Sequence, residues 1–126
     1  MNKLLLAFTI SMVIASCKSP EVSDPVEIKY EVLTEYGNWY GEYIDETGER
    51  ICFCKPPLPD SGWTYTFTVS SMPFDAHIDA TYDCPGCGDT TSIPDVTTNI
   101  YADNILVAHN TSNWAPGVAS SDYTVK

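Results

Sequence analysis

Five cysteines have the widest chemical range of any residues in this 126-residue chain, and four of them fall into two close pairs. Cys52 and Cys54 flank Phe53 in a stretch that alternates like a strand. Both thiols therefore leave one face while Ile51 and Phe53 leave the other. On an extended strand their Cα atoms stand about 6.6 Å apart with parallel Cβ vectors, a poor geometry for bonding to each other. Cys84 and Cys87 lie in Cys84-Pro85-Gly86-Cys87-Gly88, a compact turn. Three chemistries are open to this set. Two disulfides from Cys52 and Cys54 to Cys84 and Cys87 suit a small exported domain with an even count. Each closes a loop of about 30 residues and contributes roughly 3–4 kcal/mol in the chain-entropy model. Four converging thiolates would instead bind zinc, tetrahedrally, or copper(I). The third chemistry is a redox-active Cys84–Cys87 pair, although no helix N-terminus is visible there to lower a thiol pKa.

The fifth cysteine, Cys17, ends the N-terminal segment. Met1-Asn2-Lys3 is a basic start, and Leu4 to Val13 is an apolar run too short for the ~20 residues that span a bilayer. Small residues follow, so residues 1–16 read as a secretory signal peptide. Ile14-Ala15-Ser16-Cys17 resembles the lipobox of bacterial lipoproteins. That resemblance implies a lipidated Cys17 as the mature N-terminus and a chain tethered to the membrane through its lipid, since more than one acyl chain gives stable anchoring. Lys18 is not the aspartate of inner-membrane retention, so an outer-membrane, periplasm-facing location is expected. Export places the other cysteines in an oxidising compartment and ranks disulfides first. The Cys84–Gly88 turn also resembles the knuckle of zinc ribbons, which supports the metal alternative.

The formal charge of −11 excludes nucleic acid as a partner, because binding it relies on Lys and Arg neutralising phosphates. Catalytic motifs are missing from the sequence, with no Gly-x-Ser-x-Gly, no His-Glu-x-x-His and no phosphate-cradling glycine loop. His77 and His109 fall on different strands and read as solvated strand-face residues. Asp45, Glu46 and Glu49, and Asp83 with Asp89, match no ordered calcium loop and read as solvated acidic turns. Among the aromatics, Trp63, Tyr65 and Phe67 share one strand face and belong to the core. Tyr36, Trp39, Tyr40 and Tyr43 cluster too densely for alternation to bury all four. Trp39, Tyr40 and the loop residue Trp114 are therefore candidates for a binding surface.

These residues are positioned by strands. Residues 17–25 are a lipidated cysteine and a flexible, proline-containing tether. At Val26 a two-residue period begins, and residues 26–126 form one domain. Strands are expected at 26–32, 39–44, 50–55, 63–69, 76–82, 96–102, 105–109 and 118–125. Asp103-Asn104 is a tight turn, and Pro56 to Gly62 is a loop. About seven or eight short strands without a helical period predict an all-β, immunoglobulin-like antiparallel sandwich.

Ile28–Val32, Trp63–Val69, Asn99–Val107 and Gly117–Ser121 look similar to small secreted β-sandwich proteins. These include Bacteroidota lipoproteins and, more distantly, MmpS-type proteins, whose domain assists lipid-exporting transporters. The expectation is a lipid-anchored, non-enzymatic binding module in the cell envelope that contacts an envelope protein and needs no cofactor. The alternative is a zinc or copper site formed by Cys52, Cys54, Cys84 and Cys87.

Overall fold

The computed structural model describes residues 23–35, 37–82, 95–112 and 117–126. Every regular element in them is a strand: β1 (Val26–Thr34), β2 (Trp39–Ile44), β3 (Arg50–Phe53), β4 (Trp63–Val69), β5 (Phe74–Tyr82), β6 (Val96–Ala102), β7 (Ile105–Ser112) and β8 (Val118–Val125). Four of these bounds are the expected ones. β5 starts two residues early, at Phe74, and β7 runs on to Ser112 because its partner β6 continues opposite it. β3 stops at Phe53, two residues short, because Pro56 and Pro57 have no N–H to donate to a ladder.

Two antiparallel sheets, in the orders β4-β1-β6-β7 and β3-β2-β5-β8, pack into a sandwich. The expected immunoglobulin-like sandwich is met at the level of eight strands in two packed sheets, and the neighbour order is the chain's own. Only β2–β3 and β6–β7 are hairpins within a sheet; the other connections pass from one sheet to the other. In the β6–β7 turn, Asp103 and Asn104 both take positive φ, 48° and 64°. Two left-handed residues make the primed turn whose twist matches a two-residue hairpin.

Alternation puts Ile28, Tyr30 and Val32 of β1 against Tyr43, Ile78 and Ala80 of the facing sheet. Each large apolar side chain withdrawn from water contributes roughly 1.5–3 kcal/mol. Aromatic rings fill the β3–β4 side: Trp39 packs edge-on against Phe53 and Trp63, each 5.3 Å away. On the far side the sheets are joined by a buried polar contact, Thr98 Oγ1 to Ser121 Oγ at 2.8 Å. Two buried hydroxyls satisfying each other avoid the cost of an orphaned polar group.

Candidate functional site

The outer face of the second sheet collects side chains that the core rejects. Strand β2 sends Trp39 and Tyr43 inward and Tyr40 and Glu42 outward. β5 buries Ala76, Ile78 and Ala80 and turns out Asp75, His77 and Asp79; β8 turns out Asp122 and Thr124. Register then sets Glu42 opposite Asp79 and His77 opposite Asp122. A close approach of backbones makes this possible. At Gly41 a Cβ would lie 2.1 Å from the Asp79 carbonyl oxygen, so any larger residue there has to push β2 off β5.

The outcome is a compact cluster in which Glu42, His77 and Asp79 each offer a ligand atom within 4.8 Å of the others. His77 lies between two carboxylates, with Nδ1 2.6 Å from Asp122 Oδ1 and Nε2 3.3 Å from Asp79 Oδ2. Asp79 is braced through its other oxygen, Oδ1, which accepts the Glu42 backbone N–H at 3.1 Å. The Arg50 guanidinium donates to Glu42 Oε1. Beneath the cluster Tyr30 crosses from the first sheet, accepting the His77 N–H at 3.3 Å and donating to the Ile44 carbonyl at 2.9 Å. Burial pushes the Tyr30 hydroxyl above its ordinary range, so it stays a proton donor. His77 and Asp122 open, with Arg50, Ile44 and Phe74, into a groove of about 580 Å³.

Sequence reasoning missed this cluster. His77 was expected to be a solvated strand residue, yet its side chain is only 21% exposed and it contacts two carboxylates. His77-x-Asp79 on one strand face was the available signal; nothing local pointed to Glu42, which comes from another strand.

Two of the five cysteines meet among the described residues. Cys52 and Cys54 approach each other directly, their sulfurs in contact and their Cα atoms 5.3 Å apart. Because β3 ends at Phe53, Cys54 is no longer extended, and the separation falls from the strand value into the range a bridge spans. Cys84 and Cys87 themselves, like Cys17, Tyr36, Asp83, Asp89 and Trp114, lie outside the described residues.

The aromatic candidates separate. Trp39 is fully buried and is a core residue, not a surface one: the pleat of β2 aims it into the sandwich against Phe53 and Trp63. Tyr40, its neighbour, is 42% exposed. The carboxylate of Asp45 is used by its own turn, accepting from Thr47 N at 2.9 Å, Thr47 Oγ1 at 2.6 Å and Glu49 N at 2.9 Å. The bond from Thr47 Oγ1 is the largest of the effects that hold the Asp45 carboxyl below its usual value. Glu46 accepts from Tyr65 OH at 2.5 Å, chiefly through which that phenol is pushed up to about 12.

No protein-family model matches the chain, and no curated protein matches it. What the site can do rests on its own geometry.

Proposed function

We propose that this protein is a lipid-anchored envelope lipoprotein whose sandwich acts as a non-enzymatic binding module. The reading joins the lipobox-like Ile14–Cys17 segment to the fold. Ser23, Asp24 and Pro25 lie outside every strand, and β1 begins at Val26 in the middle of its sheet. In this reading residues 17–25 are the tether to the outer membrane, and the domain faces the periplasm.

The observation that carries the binding role lies at the end of the sandwich away from Val26. Tyr40, Thr81 and Val118 are neighbours across β2, β5 and β8, and Tyr40 and Val118 are 42% and 52% exposed. An aromatic and a valine left in water on a rigid sheet, at the membrane-distal end, suit an envelope protein partner. The resemblance to MmpS-type proteins supports a partner of the transporter or surface-assembly class.

Two measurements test this. Cys17→Ala is expected to leave the domain folded and move it from the membrane to the soluble periplasmic fraction. Membrane fractionation identical to the parent, with no lipid mass on Cys17, would refute the anchor. A photocrosslinker at Tyr40 is expected to capture one defined envelope protein, and Val118→Asp to abolish that capture; an adduct pattern unchanged by Val118→Asp would refute the surface.

A further inference from the structure

We infer that Glu42, His77 and Asp79 form a binding site for a divalent transition cation of the zinc class, with Asp122 as its positioning residue. The inference is independent of how the chain is anchored and of any protein partner.

The geometry around the imidazole carries it. His77 has two nitrogens and two carboxylate neighbours, and a neutral ring has one proton. In that neutral form the proton would go to one carboxylate, and a nitrogen lone pair would face the other. The two sides are unequal. The 2.6 Å contact from Nδ1 to Asp122 Oδ1 is a charge-assisted hydrogen bond. On the other side, 3.3 Å from Nε2 to Asp79 Oδ2 is long for such a bond. It matches the edge of a ligand tetrahedron instead: with metal–ligand bonds of about 2.1 Å, two donors stand about 3.4 Å apart. An Asp122 carboxylate on the remote nitrogen is the outer-shell arrangement that fixes the tautomer and turns Nε2 toward a metal.

The rest of the donor set agrees. Asp79 Oδ1 is held by the Glu42 backbone N–H, which leaves Oδ2 for the ion. Glu42 meets Arg50 through Oε1. One imidazole and two carboxylates suit zinc or a similar borderline cation better than calcium, which takes six to eight oxygens. Three protein ligands leave a coordination position for water or for a further ligand. Arg50 competes with the cation for Glu42, which makes a prediction that a merely structural cluster does not.

The test is calorimetric titration of zinc chloride into the full chain carrying Cys84→Ser and Cys87→Ser, in a non-chelating buffer, with imidazole nitrogen NMR alongside. One equivalent is expected to bind, shifting the His77 Nε2 resonance and leaving His109 unmoved. His77→Ala and the near-isosteric Asp79→Asn are each expected to weaken binding at least about tenfold, and Asp122→Asn about tenfold. Arg50→Gln is expected to tighten it severalfold. Any one of three results overturns the inference: a His77 ring that takes a second proton and ignores zinc, binding that survives both His77→Ala and Asp79→Asn, or calcium binding as tightly as zinc. Circular dichroism of each variant separates loss of the site from loss of the fold.

Discussion

His77 and His109 stand on the outer faces of opposite sheets, and their surroundings differ in one respect. Around His109 each donor meets one acceptor. Nδ1 contacts Asn99 Oδ1 at 2.6 Å, Asn99 Nδ2 donates to Glu31 Oε2 at 2.8 Å, and Tyr101 OH donates to the same oxygen at 3.0 Å. Lys29 lies 4.1 Å over the Tyr101 ring. That chain runs through one amide, one phenol and a single carboxylate. Around His77 the partners are carboxylates on both sides, with a third, Glu42, nearby and one arginine. A strand face can thus carry a histidine as part of a satisfied polar ladder or as one donor in an anionic cluster. The neighbours across the strands decide which.

Both faces share the core as their support, so the largest effect is expected there. Phe67, buried between Tyr30 and Phe74, should cost about 3–5 kcal/mol on truncation to Ala. Thr66→Ala, on the exposed side of the same strand, should cost under about 1 kcal/mol. Comparable losses in chemical denaturation would contradict the assigned facing of β4.

The next variant separates the faces. Gly41→Ala puts a methyl group into the Asp79 carbonyl and should destabilise by about 1–3 kcal/mol, as overpacking does. Nitrogen NMR should show His77 disturbed and His109 intact. Equal disturbance of the two rings would mean that Gly41 does not serve the second sheet alone.

Smaller again is the cysteine pair. A bridge across one intervening residue closes so short a loop that the chain-entropy model allows only about 1–2 kcal/mol. Cys52→Ser with Cys54→Ser should cost no more than that and should leave both histidine networks in place. A loss of about 3 kcal/mol or more would assign these cysteines to long-range bridges with Cys84 and Cys87 instead.

The smallest effect is the acid titration of the β2–β3 turn. The Asp45 carboxyl is depressed in the folded state relative to its ordinary 3.8. Its stabilisation is therefore fully present above that value and is lost as pH falls through the lower folded one. Asp45→Asn should flatten the stability-against-pH curve in that acid window only. A difference between the two proteins that grows above pH 5 would assign the dependence to another group.

Alternation along the chain was enough to place Trp63–Val69, Val96–Ala102 and Val118–Val125 as strands, because the pleat repeats every two residues. It also set Phe67 inward and Thr66 outward, and Asp103-Asn104 announced its own hairpin through residues that tolerate positive φ. Those are local properties, written in neighbouring side chains. The candidate site is not local. Glu42 and Asp79 are 37 residues apart, His77 and Asp122 are 45 apart, and a strand's period says which face a residue takes without saying which strand lies beside it. Only the pairing of β2 with β5 and of β5 with β8 brought those four together, and only the end of β3 at Phe53 let Cys52 reach Cys54. Trp39 shows the same division: crowding said that some of its aromatic neighbours had to stay outside, and the packing of two sheets decided that Trp39 is buried and Tyr40 exposed.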